Sequence, residues 1–350
     1  MLSRAFVTKH QISRRNFNDH EENSCRSMSI HEYEEFIIGF KQDVPLVFLD
    51  ENNDPNRNHG KAIARPCEPR LTLKEVLRAS AGVMGESHLG MTEKVVLLKG
   101  KICALKRFRK VVVKKNEVGR RIEKFARVSR DCKQLVPITA YLYSKRIKFV
   151  VCDYYPMGSL ADLLAGARDL GQTALEWKQR LKIILCTARG IAFIHSQNPP
   201  KDQKNHKDAQ LNVHGNVKAS NVMINIDFTA CLSDYGFLQL AERTEFFDTS
   251  QKSPPPLGDQ YAYSESLSQK NDVYNFGIIL LDILGRQGMK KEEMENGEFE
   301  FFVHEKEQKQ VLNVLNIALR CIDSDIEARP TMEQIVIYLG DVLRVRNYSN

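Results

Sequence analysis

Residues 214–221 read His-Gly-Asn-Val-Lys-Ala-Ser-Asn, and residues 234–236 read Asp-Tyr-Gly. This region is the densest cluster of functional residue types in the chain. Asn221 and Asp234 carry hard oxygen atoms, the ligands that Mg²⁺ prefers, and Lys218 adds a positive charge close to them in sequence. We therefore expect the chemistry of the protein to lie here.

Three upstream segments supply glycine, lysine and glutamate in a fixed order. Residues 85–90 read Gly-Glu-Ser-His-Leu-Gly and lie between strand-like runs, which predicts a glycine-rich turn. Residues 104–106 read Ala-Leu-Lys within a strand-like run over 102–108. Glu123 belongs to a stretch, 117–128, that is typical of a helix with a basic face.

The second half of the chain has helical periodicity. One long amphipathic stripe has apolar residues at i, i+3, i+4, i+7, i+10 and i+11, namely Leu181, Ile184, Leu185, Ala188, Ile191 and Ala192. Helical patterns return over 273–284, 311–319 and 332–343. A small sheet-rich lobe followed by a larger helical lobe is an α+β arrangement.

Taken in this order, the quoted segments resemble the protein-kinase signature set. The amino-acid sequence of residues 77–81, 153–160 and 214–216 is similar to that of the intracellular part of plant leucine-rich-repeat receptor-like kinases. The similarity is greatest to the members described as probable inactive kinases. The resemblance covers 71–345 and implies a two-lobed fold with an N-lobe over about 71–152 and a C-lobe over about 153–345. Residues 1–70 read as a polar, partly disordered extension.

The resemblance implies an ATP site. Lys106 corresponds to the lysine that holds the α- and β-phosphates, and Glu123 to the helix glutamate that steadies it, with Glu117 as the competing partner. The other implied nucleotide-binding residues are those of the glycine turn and the hinge, namely Gly85, Ser87, Gly90, Asp153 and Tyr155. Asn221 and Asp234 correspond to the ligands of Mg²⁺.

Several positions depart from the family's pattern. Asn216 stands at the position of the catalytic aspartate, and a neutral amide cannot accept the proton of a substrate hydroxyl. Lys218, which helps to neutralise the transferring phosphate, is retained. Ser87 replaces the middle glycine, which adds a Cβ where phosphates should approach and implies weak ATP binding. Gly215 replaces the arginine that grips a phosphorylated activation segment.

Two further expectations concern polar groups of the C-lobe. The hydroxyl of Tyr235 needs a hydrogen-bond partner if it is buried. Gln260 falls near the position where the family has a glutamate, so Arg329 must find another acceptor, because an unpaired buried guanidinium is costly. We expect the segment between Asp234 and Gln260 to be mobile or unusually folded.

Charge and composition limit the partners. The 350 residues carry a net charge of +7, and residues 71–150 contain 20 basic and 6 acidic side chains. The positive charge of residues 71–150 attracts anions, so an anionic membrane surface is one expected partner. These residues have neither zinc-finger spacing nor an aromatic RNA-binding signature, and we expect no nucleic-acid partner.

The sequence contains neither a membrane-spanning apolar run nor a secretory signal. This predicts a cytoplasmic protein, with peripheral association at the plasma membrane as the alternative.

The combined expectation is a receptor-like pseudokinase that binds ATP weakly, with Mg²⁺, and serves as a signalling scaffold or allosteric partner of receptor-like or cytosolic kinases. An active serine/threonine kinase with an atypical catalytic loop is the alternative, because loose transition states demand little base assistance. A third reading is an interaction module that no longer binds nucleotide.

Overall fold

The computed structural model describes residues 46–49, 72–97, 100–144, 147–169, 175–198, 209–241, 267–285 and 305–344. Apart from 46–49, the expected polar extension over 1–70 lies outside the described residues. The segment from 242 to 266, which contains Gln260, also lies outside them.

The described elements follow the expected order of a sheet-rich part and then a helical part. In chain order they are β1 (Val47–Phe48), α1 (Leu73–Arg78), β2 (Ser80–Ser87), β3 (Gly90–Val96), β4 (Ile102–Phe108), α2 (Lys115–Arg130), β5 (Ile138–Tyr143), β6 (Lys148–Asp153), α3 (Leu160–Asp169), α4 (Trp177–His195), a 3₁₀ turn (Ala219–Asn221), β7 (Val222–Ile224), β8 (Ala230–Leu232), α5 (Leu238–Ala241), α6 (Gln269–Ile283), α7 (Glu305–Cys321) and α8 (Met332–Arg344).

The first lobe is built on an antiparallel sheet with the strand order β1-β5-β6-β4-β3-β2. Strand β4 lies inside it, with β3 on one side and β6 on the other. Helix α2 packs against β5. Strand β1 comes from the N-terminal extension and pairs Val47 with Tyr141 and Phe48 with Ala140. Two residues of the predicted extension therefore complete one edge of the sheet.

Helix α1 begins where the sequence supplies its cap. The hydroxyl of Thr72 accepts a hydrogen bond from the backbone N–H of Glu75, and the Glu75 carboxylate accepts one from the backbone N–H of Thr72. This reciprocal capping box satisfies two backbone donors that the helix cannot satisfy itself. Leu73, Val76 and Leu77 are buried, as the apolar spacing predicts.

The second lobe is organised around α4, which packs against α6, α8 and the strand β8. Its predicted apolar stripe forms the core, since Leu181, Ile184, Ala188 and Ile191 are at most 5% exposed. At its start, the indole N–H of Trp177 donates to Gln310 of α7 at 3.0 Å. The amide of Gln310 in turn donates to the carbonyl oxygen of Val342 in α8 at 2.8 Å, so the ends of three helices are joined.

The predicted α+β fold with two lobes is confirmed. Among the residues that the structure describes, none of the helices is both long and apolar enough to cross a bilayer.

Candidate functional site

A short hairpin brings the two predicted metal-binding residues together. Strands β7 and β8 pair Val222 with Leu232, so Asn221 precedes one strand and Asp234 follows the other closely. The backbone N–H of Ser233 donates to the carbonyl oxygen of Asn221 at 2.8 Å, which fixes the two chain segments side by side.

One face of the sheet lies over this hairpin and carries the predicted lysine. Side chains at alternate positions of a strand share a face, so Ala104 and Lys106 of β4 point the same way. Thr92 lies opposite Lys106 on β3, and Cys152 lies opposite Ala104 on β6. All four side chains line the same cavity.

That cavity has a volume of about 240 Å³. It contains six predicted site residues, namely Gly85, Lys106, Asp153, Tyr155, Asn221 and Asp234. Within the described part of the chain, the other predicted site residues are not part of its lining, namely Ser87, Gly90, Glu123, Asn216 and Lys218. The remaining lining residues were not predicted, namely Met84, Thr92, Ala104, Val136, Cys152, Ser159, Asp162, Ser220, Met223 and Ser233.

The ion pair of Lys106 differs from the prediction. Its ammonium nitrogen lies 3.0 Å from the carboxylate of Asp234, and both side chains are almost fully buried. Glu123 instead accepts a hydrogen bond of 3.4 Å from the hydroxyl of Tyr141 and is exposed. Burial, and then the neighbouring carboxylate of Glu123, raise the pKa of Tyr141 to about 12, so the hydroxyl stays a donor.

Helix α2 also packs closely against this tyrosine. The backbone of Gly119 lies so close to the ring that an added Cβ would be 2.6 Å from the Tyr141 hydroxyl oxygen. The competing candidate, Glu117, pairs with Arg121 one helical turn later, and Arg121 also donates to the carbonyl oxygen of Gln239. Neither predicted glutamate therefore partners the strand lysine.

The glycine turn is closed by Ser87. Its hydroxyl donates to the carbonyl oxygen of Gly90 at 3.3 Å and accepts from the ammonium of Lys106 at 3.5 Å. Gly90 is required for strand packing, because a Cβ there would lie 1.9 Å from the carbonyl oxygen of Arg107. The serine thus adds a side chain to the turn and also uses part of the hydrogen-bonding capacity of Lys106.

The loop that carries Asn216 is held by Asp272. The Asp272 carboxylate accepts from the backbone N–H groups of His214 at 2.7 Å and Gly215 at 2.9 Å, and it lies 3.0 Å from the imidazole of His195. The backbone of Asn216 donates to His214 and accepts from the Asn221 amide at 2.8 Å. The side-chain nitrogen of Asn216 is buried without an acceptor.

Two lysines lie near the carboxylate of Asp234. Burial lowers the pKa of the half-buried Lys218, while Asp234 opposes this effect and the charge of Lys106 adds to it. The charges of Asp234 and Lys106 therefore act on Lys218 in opposite directions.

The two residues that the resemblance assigns to Mg²⁺ are an aspartate and an asparagine, both with oxygen atoms that can bind this cation. The Asp234 carboxylate already forms an ion pair with Lys106, and Asn221 and Asn216 contribute neutral amides. Within the described ranges, no three His, Cys, Asp or Glu side chains are grouped so that they could hold a metal ion. Asn221 and Asp234 lie next to each other as predicted, at the two ends of the β7–β8 hairpin, and their role as ligands of Mg²⁺ stays a prediction.

The hinge side of the cavity combines apolar side chains with the carboxylates of Asp153 and Asp162. Burial raises the pKa values of the Cys152 thiol and the Tyr155 hydroxyl far above their ordinary range. Burial also raises the pKa of Asp153. Ser159 donates to Asp162 through both its backbone N–H and its hydroxyl, which starts α3.

The two expected polar contacts of the C-lobe are formed. The Tyr235 hydroxyl donates to the carbonyl oxygen of Leu211 at 2.5 Å, and its ring lies edge-on to Phe125 of α2. Arg329 donates to the carbonyl oxygens of Asp323 and Lys270 and stacks on Tyr274, so its guanidinium has acceptors other than Gln260.

Comparison with known proteins shows the family to which the chain belongs. Residues 78–339 match the family model described as "Protein tyrosine and serine/threonine kinase". The chain belongs to this protein kinase family. The predicted membership is thereby confirmed.

Its curated relatives are receptor-like kinases of Arabidopsis thaliana. One relative, named a probable inactive receptor kinase, is 30% identical to this chain. The matched region covers 77% of this chain and 44% of the relative. Another, named a probable LRR receptor-like serine/threonine-protein kinase, is 31% identical over 84% of this chain and 45% of its own length. The chain thus spans less than half the length of these relatives.

Solved structures show the same fold. The pseudokinase domain of BIR2, an immune regulator of the RLK/Pelle family, has a TM-score of 0.66 at 20% identity, covering 91% of this chain and 95% of that one. The maize SIRK1 kinase domain bound to AMP-PNP has a TM-score of 0.63 at 24% identity, covering 85% of this chain and 99% of that one.

Proposed function

We propose that this protein is a receptor-like pseudokinase, which binds an adenine nucleotide weakly and transfers its phosphate poorly or not at all. The observation that carries the proposal is Asn216. It occupies the position of the general base, its side-chain nitrogen is a buried donor without a partner, and the nearby carboxylate of Asp234 is paired with Lys106. Loss of a general base costs about 10²- to 10⁴-fold in rate.

The cavity supports nucleotide binding. Its wall combines apolar and small side chains at the hinge side, such as Ala104, Val136 and Met223, with a lysine at the other side. A flat base suits the first part and phosphate suits the second. Lys106 and Lys218 would hold the phosphates, and the hinge after Asp153 would hold the base.

The contacts of Ser87 and Lys106 support weak binding. A phosphate must replace the Asp234 carboxylate and the Ser87 hydroxyl as partners of the Lys106 ammonium. Both exchanges weaken nucleotide binding, because the binding free energy is only the difference between the contacts that the ligand forms and the contacts that the protein loses.

A kinase-family protein with weak catalysis would act as a scaffold or an allosteric partner. Receptor-like kinases are the proposed partners, because the relatives carry those names.

The surface that would bind an acidic partner is the basic side of the N-lobe. Its exposed cations include Lys101, Arg109, Lys110, Arg120, Arg127, Arg130 and Lys133. An anionic bilayer is the other surface that such a charge would attract. A pull-down whose yield does not change with salt concentration would argue against an electrostatic contact with either an acidic partner or a bilayer.

The catalytic part is tested by restoring the base. Wild type, Asn216→Asp and the double variant Asn216→Asp/Lys106→Met are incubated with γ-labelled ATP and a generic protein substrate. The proposal expects background transfer by wild type and the double variant, and a gain for Asn216→Asp. Robust wild-type transfer would instead support the active-kinase alternative.

A further inference from the structure

Ser87 lies in an exposed, extended part of the chain. It is the last residue of β2, its own side chain is partly exposed, and its neighbours Glu86 and His88 are exposed. Strand β2 is at the edge of the sheet, with β3 on one side only. Extended segments at a sheet edge can pair with the substrate groove of another protein. The Ser87 hydroxyl is therefore accessible to an enzyme that modifies serine.

The same hydroxyl contacts a residue of the cavity. It accepts a hydrogen bond from the Lys106 ammonium at 3.5 Å and donates to the carbonyl oxygen of Gly90 at 3.3 Å. Lys106 lines the cavity, and so does Gly85, two positions before the serine. Ser87 thus connects an exposed turn with the buried lysine of the candidate nucleotide site.

A phosphoryl group on Ser87 would change the partners of Lys106. It adds about two negative charges and three acceptor oxygens at neutral pH. Those oxygens extend beyond the serine Oγ, which already lies 3.5 Å from the ammonium nitrogen, so they can form charge-assisted hydrogen bonds with it. The phosphate would then compete with the Asp234 carboxylate, which lies 3.0 Å from the same nitrogen.

The charges around the turn permit this contact. The adjacent carboxylate of Glu86 forms an exposed ion pair with Arg109. Asp234 is the carboxylate that would repel the phosphate, because both would bind Lys106. The phosphate carries the larger negative charge, so we expect it to become the main partner of the lysine.

A bound nucleotide needs the same lysine. Under the proposed function, Lys106 holds the phosphates of the nucleotide. A phosphorylated Ser87 would occupy this ammonium and would also repel the incoming phosphates, because like charges close together are unfavourable.

We propose that Ser87 is a phosphorylation site, and that the phosphorylated serine bonds to Lys106 and blocks nucleotide binding. A partner kinase supplies the phosphoryl group from its own ATP. The Ser87 Oγ forms a bond to the γ-phosphorus, the bond from that phosphorus to the bridging oxygen breaks, and ADP leaves. The hydroxyl proton passes to the general base of the partner. The effect on the nucleotide rests on the proposed function.

Phosphoserine introduced at a reassigned stop codon tests the block in the full chain. The matched control carries phosphoserine at Ser80, the exposed first residue of the same strand, which pairs with Val96. Calorimetric titration with AMP-PNP and Mg²⁺ compares both proteins with the unmodified chain. Phosphoserine at position 87 should weaken binding by at least about tenfold, and phosphoserine at position 80 should leave the Kd unchanged. An equal Kd for all three proteins overturns the block.

The contact with Lys106 has a readout that needs no nucleotide. Titration followed by ³¹P NMR measures the second pKa of each phosphoserine, which is ordinarily about 6. Bonding to the ammonium should lower this pKa at position 87 relative to position 80, and equal pKa values would overturn the contact. A lowered pKa in a chain that binds no AMP-PNP when unmodified would support the contact and overturn the block together with the proposed nucleotide binding.

Mass spectrometry tests whether the modification occurs. The full chain is expressed in plant cells and purified with phosphatase inhibitors, and trypsin releases residues 79–94 as one peptide, which contains Ser80 and Ser87. Fragmentation should locate phosphate on Ser87, and Ser87→Ala should abolish that signal. Recovery of the wild-type peptide without phosphate on Ser87 overturns the assignment of the site.

Discussion

The ammonium of Lys106 lies 3.0 Å from the carboxylate of Asp234, and the two side chains are 8% and 11% exposed. The helix glutamate Glu123 takes no part in this pair and instead accepts a hydrogen bond from the Tyr141 hydroxyl. The residues that kinases use to hold ATP and metal thus neutralise each other. A nucleotide can gain affinity only by displacing one of these contacts.

Removing the lysine should destabilise the fold. Lys106→Met leaves the Asp234 carboxylate buried without its partner, and breaking a buried pair in this way costs about 3 kcal/mol. The free energy of unfolding, measured by urea denaturation, should fall by that amount. Lys182→Met removes an exposed lysine of the pair with Asp227 and should change the stability little. Equal effects of the two variants would contradict the buried pair.

The contact between α2 and Tyr141 can be tested with two helical glycines. An added Cβ at Gly119 would lie 2.6 Å from the Tyr141 hydroxyl oxygen, whereas one at Gly166 in α3 would meet nothing within 4 Å. Gly119→Ala should therefore destabilise the protein by about 1–3 kcal/mol. Gly166→Ala should stabilise it by up to about 1 kcal/mol, because alanine is the better helix former. Thermal denaturation measures both, and a stabilised Gly119→Ala would show that α2 does not approach Tyr141.

Gly215 should not tolerate a side chain. Its φ is +79°, and a Cβ would lie 2.3 Å from a methyl carbon of Leu267. Gly215→Ala should cost about 1 kcal/mol for the left-handed backbone, and a smaller further cost should come from moving the Leu267 side chain aside. Gly100 has a φ of +77° and open space around it, so Gly100→Ala isolates the backbone part. Chemical denaturation should rank the two variants in that order, and the reverse order would refute the packing against Leu267.

The stability should depend on pH through His214. Burial lowers the pKa of this fully buried imidazole, and Asp272 only partly opposes the shift. As the pH falls below about 6.5, the unfolded chain takes up a proton that the folded chain does not, so the free energy of unfolding decreases. His214→Asn keeps an acceptor for the Asn216 N–H and removes the titration. Between roughly pH 7.5 and 5.5 the variant should lose less stability than wild type, and parallel pH profiles would contradict the shift.

Much of the fold could be predicted from local patterns. The strand-like runs 102–108 and 148–153 coincide with β4 and β6, and the apolar stripe from Leu181 is the buried face of α4. The pairing of strand β1 could not be predicted in this way. Residues 44–49 form a short apolar run that is compatible with a strand, but the partners of β1, Ala140 and Tyr141, are far away in sequence.

The candidate site could also be predicted only in part. Asn221, Asp234 and Lys106 converge as predicted, because the β7–β8 hairpin and the strand β4 place them. The direction of Glu123 was not predictable, since it depends on the rotation of α2 and on the hydroxyl of Tyr141. Met223 could have been noticed in the sequence, because it follows Asn221 by two positions in a short strand-like run.

The central claim, catalytic silence at Asn216, is tested most directly by phosphate transfer. Wild type and Lys106→Met, each checked for folding by circular dichroism, are incubated with γ-labelled ATP and a generic substrate in the presence of Mg²⁺. The account predicts equal incorporation at background for both proteins. Wild-type incorporation well above background that disappears in Lys106→Met would contradict it.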